Sequence, residues 1–418
     1  FAVLPEEAPR KAAFREFCRA SGTALVDHAR FEALAKYFSC SVPSMIDWRD
    51  WPKGYRTPAA PDVSAFAEAH ADRVTFYIYL LWLVAEQLDG AQRSALDAGM
   101  ALGLYRDLAV GVAPDGAEAW CHQDVLVEKA RIGAPPDDFN PKGQNWGLLP
   151  FSPKALKAEA YRPFVKLIRS NMRSAGALRI DHVLGLARSF WQPESADIAG
   201  AYVRYPLNDL VGLVALESER NQCVVIGEDL GTVPETLRSA LDERDLLGCR
   251  LLYFERDEAG TFRPAAVYPR NCIASIGTHD LPTLQGFWQG RDIETRAGLG
   301  LYPDEKGRRA DLEERARQRN LLLLRLQAEH LLPAGIDPER PPEALSRDLV
   351  EAFHRFLGAT PAMLKAVQLE DVVGTLEQAN LPGTIDEYPN WRQKVGPPLQ
   401  QLADDDRLAA LLQAIAGR

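Results

Sequence analysis

A chain of 418 residues with 46% hydrophobic and 25% charged side chains is large enough for two or three domains, or for one barrel with insertions, and its composition excludes a fibrous or disordered polymer. The formal charge of 48 − 58 = −10 argues against a nucleic-acid-binding surface and favours a neutral or cationic partner. Neutral sugars fit that balance, because the 8 Trp, 12 Tyr and 16 Phe supply faces on which sugar rings can rest.

Residues 1–95 read as a mainly helical subdomain or insertion, rich in Ala, Glu and Arg at helical spacing. Its last element is an apolar helix around Trp82, expected to stop before Asp89-Gly90. The run "FYIYLLWLVA" at 76–85 is too short to span a bilayer and reads as a buried helix, so no membrane partner is expected. The opening at Phe1 has the style of a fragment or a processed form.

From about residue 98 the pattern changes to "MALGLYRDLAVGVAPDG", a strand-like run followed by a Gly/Pro turn. Residues 131–153 carry five prolines and three glycines around Phe139, Trp146 and Phe151. A long irregular loop bearing aromatic residues is more often functional than filler.

Between 156 and 290 helices and strands alternate. An amphipathic helix at 161–176 closes at Gly176, "ALRIDH" is a strand, the segment 201–222 runs through a helix, and "CVVIGE" is the next strand. Such alternation predicts a parallel sheet with right-handed crossovers. After 305 come a charged amphipathic helix within an insertion around 303–350, a candidate strand in "PAMLKAVQLED", and a closing helix from about 398. The six cysteines form no C-x-x-C pair and follow no secretory leader, so they read as reduced packing residues.

Three acids stand at the ends of apolar, strand-like runs: Asp181 in "ALRIDH", Glu228 in "CVVIGEDLG" and Asp280 in "CIASIGTHDLPT". A (β/α)8 barrel delivers carboxylates in this way at the carboxyl end of its sheet, and two carboxylates flanking a glycosidic bond can cleave it. Arg179 and Asp181, two apart on a strand, share a face, and a guanidinium beside a carboxylate favours the ionised form that a nucleophile needs. An Arg–Asp pair bracing the sheet is the structural alternative, and this motif alone leaves it open.

Glu228 follows Val224, Val225, Ile226 and Gly227. Apolar walls and a second carboxylate nearby both raise a pKa, which suits a general acid; a solvated loop acid is the competing reading. Asp229 should point the other way and cap. Asp280 accompanies His279 and is given no proton transfer, only stabilisation of an oxocarbenium-like transition state. His182 and His279 are each as compatible with a structural hydrogen bond. A metal site is disfavoured, because the seven histidines include no H-x-H or H-E-x-x-H spacing.

Taken together, "GLYRDLAVGVAPDGAEAW", "GAPPDDFNPKGQNWGLLP", "GALRIDHVLGL", "VVIGEDLGTVPE", "GTHDLPTL" and "LPGTIDEYPNWRQK" resemble the 4-α-glucanotransferases (amylomaltase, or disproportionating enzyme; glycoside hydrolase family 77, longer bacterial type), over nearly the whole chain and in order. The resemblance implies an α/β fold, a (β/α)8 TIM barrel over 96–418 with helical insertions and an active-site loop at 131–153, here lacking its first strand. It implies retaining double displacement on α-1,4-glucans and maltooligosaccharides, with Asp181 as nucleophile, Glu228 as acid and base, and Asp280 as transition-state stabiliser. Arg179, His279, Asp115, Gln144, Trp146 and His182 would contact substrate. No cofactor and no metal are expected, and the location is expected to be cytoplasmic. An α-glucan hydrolase on the same barrel and a catalytically silent glucan-binding fragment are the alternatives.

Overall fold

A computed structural model describes residues 1, 4–42, 44–136, 143–195 and 198–417 of the chain. Its contacts divide into two compact units, Phe1–Leu246 and Leu247–Arg418.

The first unit opens with the helices Pro9–Ser41, Pro61–Ala69 and Ala71–Asp97. The first of these is interrupted at Gly22, whose φ of 63° and ψ of −152° are readily reached only by glycine. Leu34, Phe38, Trp48, Trp51 and Phe66 form a core that also takes in Val112, Trp120, Leu126 and Leu149 from further along the chain. The apolar run at 76–85 is helical as expected, yet mostly not buried: Val74 and Trp82 are covered, whereas Phe76, Leu80 and Val84 remain exposed. None of the described helices is long and apolar enough to cross a membrane. Nor does this helix stop at Asp89-Gly90. A glycine inside a helix costs only about 1 kcal/mol, and the extra turns place Gln92, whose amide accepts from the Leu104 N–H (2.6 Å) and donates to the Leu102 carbonyl (2.9 Å).

Among the described residues seven strands follow in this unit: β1 (Tyr105–Leu108), β2 (Ala130–Ala134), β3 (Gln144–Asn145), β4 (Ala177–Ile180), β5 (Arg188–Pro193), β6 (Ala201–Arg204) and β7 (Val224–Gly227). Strands β1, β4 and β7 are parallel neighbours, with Leu108, Ile180 and Gly227 in register at their carboxyl ends. All four residues of β4 are buried, as in a strand covered on both faces. The helices Arg162–Met172 and Leu207–Asn221 bring Ile168, Met172, Leu210 and Val214 into one core with Leu178 and Val225.

Gly176 does not close the preceding helix, which ends at Met172. It permits a close approach instead: a Cβ there would lie 1.6 Å from the Leu102 carbonyl oxygen, and its N–H donates to the Leu104 carbonyl.

The remaining strands form an antiparallel sheet in the order β3-β2-β5-β6. The stretch 131–153 is therefore strand, not irregular loop, at 131–134 and 144–145, while 137–142 with Phe139 lies outside the described residues. Residues 201–204 pair with β5, and the helix expected there begins only at Leu207. Tyr202 and Val203, an aromatic and a β-branched residue, favour that strand.

In the second unit β8 (Leu247–Leu251) and β10 (Leu364–Lys365) flank β9 (Cys272–Ser275), all parallel. Phe262, Trp288, Leu323, Phe353 and Phe356 make its core. The charged helix Glu305–Ala328 gives that core only Leu322, Leu323 and Leu326 among its fully buried residues. The candidate strand at 361–371 shrinks to the two residues of β10, followed by a short helix, Leu369–Val373. Two short helices, Leu399–Leu402 and Asp406–Ile415, close the chain. Cys223, Cys249 and Cys272 are buried, whereas Cys40 is exposed.

Candidate active site

Asp181 and Glu228 each follow directly on a strand end in the first unit. The parallel ladder continues one residue past the strands, with the Asp181 N–H donating to the Leu108 carbonyl and the Glu228 N–H to the Ile180 carbonyl, both at 3.0 Å. The chain then turns at His182, whose φ of 47° is left-handed. A Cβ at Gly227 would lie 2.9 Å from the Val183 side chain, so glycine lets this turn pack over β7.

Arg179 joins two carboxylates. Its Nη2 lies 2.8 Å from Oδ1 of Asp181, and its Nη1 donates to both carboxylate oxygens of Asp107 at 2.8 Å. The shared strand face expected of residues 179 and 181 is thus realised as an ion pair. Burial alone would lower the Arg179 pKa, but the charges of Asp181 and Asp107 outweigh it, and the net shift is upward. A fixed cation at this place favours the ionised form of Asp181.

Glu228 sits differently. Its Oε2 accepts from the His182 N–H and its Oε1 from the Leu230 N–H, both at 2.9 Å. Burial is the largest influence and raises the Glu228 pKa. The bond from Leu230 and the charge of Arg179 oppose the rise, the charge of Asp181 adds to it, and the outcome is a raised value. Two carboxyl groups close in space are therefore set apart by their surroundings, Asp181 bonded to a guanidinium and Glu228 with its pKa raised. The neighbouring Asp229 is buried and pairs with Arg238 at 3.4 Å.

His182 is half-buried, and loss of solvent pushes its pKa down to about 4 and leaves the imidazole neutral at physiological pH. The Trp146 ring meets it edge-on at 5.1 Å, and the Trp146 indole N–H donates to Oε1 of Gln144 at 3.1 Å. Gln144, Trp146, His182 and Glu228 are thus connected side by side. Asp115 lies on an exposed turn, fastened by the Trp48 indole N–H to the Pro114 carbonyl (2.9 Å) and within reach of the charge of Arg49.

In the second unit β9 runs out through Ile276 and Gly277 into a turn carrying His279 and Asp280. The two side chains approach to 3.2 Å, and the Asn380 amide donates to Oδ1 of Asp280 at 2.6 Å. The Asn380 N–H also donates to the His279 carbonyl (3.0 Å), and the Trp391 ring lies 4.9 Å from the His279 ring.

Sequence reasoning missed Asp107, Asn380 and Trp391. Asp107 carried a signal in "GLYRDLAV", where an acid inside a strand-like run calls for a buried cation. Asn380 lies 100 residues beyond Asp280 and had no local sign, whereas Trp391 stands within the quoted string "LPGTIDEYPNWRQK", where nothing marked it as a partner of His279. Among the described residues, no cluster of three or more His, Cys, Asp or Glu side chains is placed to hold a metal ion.

A family model described as 4-alpha-glucanotransferase matches residues 2–399. The chain is 43% identical over 423 residues to a 4-alpha-glucanotransferase of Mycobacterium bovis, covering 99% of this chain and 56% of the relative, and 37% identical to one of Haemophilus influenzae, covering 96% and 57%. It therefore spans about half the length of the curated relatives it matches. The crystal structure of amylomaltase from Corynebacterium glutamicum superposes with a TM-score of 0.86 at 33% identity, covering all of this chain and 57% of that one. An amylomaltase from Streptococcus agalactiae in complex with acarbose, at 19% identity, shares the fold with a TM-score of 0.75 over 98% of this chain and 75% of its own. The fold class is accordingly α/β of the (β/α)8 TIM-barrel type, as the sequence led one to expect. The chain belongs to the 4-alpha-glucanotransferase family, glycoside hydrolase family 77.

Proposed function

We propose that this chain carries the catalytic centre of a 4-α-glucanotransferase that moves a segment of an α-1,4-glucan to the 4-hydroxyl of glucose or a maltooligosaccharide, with retention at the transferred carbon. Asp181 attacks the anomeric carbon. The bond from that carbon to the leaving 4-oxygen breaks, and Glu228 gives that oxygen its proton. In the second half, the acceptor 4-hydroxyl loses its proton to Glu228 and attacks the glycosyl ester, whose bond to Asp181 breaks. Asp280 is assigned the stabilisation of positive charge on the sugar ring. Arg179, His279, Asp115, Gln144, Trp146 and His182 are assigned to substrate contact or to orienting the acids, with no cofactor and no metal.

The observation that carries this reading is the contrast between the two acids of the first unit: an arginine bonded to Asp181, and beside it a half-buried Glu228 whose pKa is raised. Family membership supports the α-glucan substrate class. Work on maltooligosaccharides or glycogen in the cytoplasm would suit such chemistry.

Incubation of the protein with maltotriose tests the reading. Glucose together with a ladder of longer maltooligosaccharides is the expected result. Shortening without longer products would assign the chain to hydrolysis, and no turnover would leave it a glucan-binding protein.

A further inference from the structure

We propose that Asp371 is a positioning residue for Asp280: its buried carboxyl fastens the segment after the His279–Asp280 turn, and so fixes where the Asp280 carboxylate stands. This rests on the role given to Asp280 above.

The segment 371–380 holds the turn at four points. The Asp371 Oδ1 accepts from the Leu284 N–H at 2.7 Å. Thr283 donates its hydroxyl proton to the Thr375 carbonyl at 2.6 Å, and the Thr283 hydroxyl oxygen accepts from the Gly286 N–H at 3.0 Å. Asn380 holds the turn itself, through its side chain on Asp280 and its N–H on the His279 carbonyl. There is little slack: a Cβ at Gly286 would lie 2.3 Å from the Leu376 carbonyl oxygen, and one at Gly277 would lie 3.1 Å from the Tyr253 ring and 3.2 Å from Oε1 of Gln368. Loosening Asp371 from Leu284 would let this packed segment shift, and a shift of about 1 Å at a reacting centre costs roughly a hundredfold in rate.

Asp371 is only 5% exposed, and its Oδ2, like Oε1 of Gln368, is buried without a hydrogen-bond partner among the described residues. A charged carboxylate with a bare buried oxygen is costly, so the neutral acid is the stable form here. Burial is the main cause of a pKa raised to about 7; the Leu284 N–H opposes it and the charge of Glu370 adds to it. The buried Tyr253 hydroxyl also senses the Asp371 charge and lies within the influence of Arg315 and Asp292, themselves paired at 2.8 Å. Among the described residues, no cation is bonded to Asp371 itself. Ionisation above neutral pH would place an uncompensated charge at the anchor point of the turn.

Two variants separate positioning from mere stability. Asp371→Leu removes the acceptor for the Leu284 N–H, whereas Asp371→Asn keeps an acceptor oxygen and cannot ionise. Hydrogen exchange of the peptide spanning 277–286 reads the turn directly and needs no enzymatic activity. Protection there should fall in Asp371→Leu by at least about tenfold, as expected for one lost buried hydrogen bond, and be kept in Asp371→Asn. For maltotriose transfer, Asp371→Leu should lose kcat by about ten- to a hundredfold with KM little changed, and Asp371→Asn should restore it. The ratio of Asp371→Asn to wild-type kcat should also rise as pH increases through about 7, where only the wild type gains a charge. Unchanged protection in Asp371→Leu overturns the proposal whether or not the protein turns over maltotriose. Lost protection with an unaltered kcat overturns the link to Asp280. A wild type without turnover strikes the functional reading alone, and the exchange result then decides whether the anchor exists.

Discussion

Replacing Glu228 by Gln removes the proton that the leaving oxygen needs while keeping the shape of the side chain. Both oxygens of Glu228 accept backbone N–H groups, from His182 and from Leu230. Glutamine has one acceptor oxygen, so one of these N–H groups must face an NH2 group. Leaving one buried donor unpaired costs about 1–3 kcal/mol of stability, visible as a lower Tm of a protein that still folds. The kinetic loss should be larger, about 10²–10⁴-fold for a general acid and at least about a thousandfold here, since the group serves both half-reactions. Steady-state transfer from maltotriose measures the loss, and an α-glycosyl fluoride isolates its cause, because fluoride leaves without a proton. Glu228→Gln should release a first equivalent of fluoride at close to the wild-type rate and then stall, since no base remains to activate the acceptor. Normal transfer from maltotriose, or a first release of fluoride as impaired as the maltotriose reaction, would refute the assignment.

Other consequences are as open to measurement. The charge of Asp181 is one of the influences that raise the Glu228 pKa, so Asp181→Asn should lower it, and a carbon-13 NMR titration of the Glu228 carboxyl should show a downward shift; an upward one would contradict the coupling. Asp107→Asn weakens one arm of Arg179, whose side chain is 8% exposed against 42% for Asp107; kcat should fall about tenfold, and Tm should drop as well, because a buried guanidinium loses part of its compensation. Asp371, with a folded pKa of about 7, keeps its proton on folding at pH values where the unfolded chain has lost it. Fewer protons on the unfolded state mean that stability falls as pH rises from about 4 to about 7 and then levels off. Three units at 1.36 kcal/mol each make the advantage of Asp371→Asn grow by up to about 4 kcal/mol across that window, and a constant difference in Tm would count against a neutral Asp371.

The parts of the fold legible in the sequence were those written in consecutive residues. The buried strand β4 announced itself as an apolar run, and the acids at its end and at the end of β7 stood where such runs stop. Alternation by two placed Arg179 and Asp181 on one face, and the structure joins them. The misses have a common cause, in that a distant partner overrides the local signal. Gly90 reads as a helix stop until Gln92, two residues on, proves to be bonded to residues 102 and 104. The Pro-rich stretch at 131–153 reads as loop until β5, some sixty residues away, supplies a strand for β2 to pair with. β8 carries too short an apolar run to be told from a helix end. At the site, motifs supplied the acids but not the groups that hold them: Asp107 and Asn380 are 72 and 100 residues from the side chains they bond.

The division of labour between the two acids of the first unit is tested most directly by trapping the intermediate. Glu228→Gln should be incubated with an α-glycosyl fluoride, digested with protease and examined by mass spectrometry. The account predicts one glycosyl group esterified to the peptide that contains Asp181. A glycosyl group on any other residue, or turnover of the fluoride to a product of inverted configuration with no adduct, would contradict it.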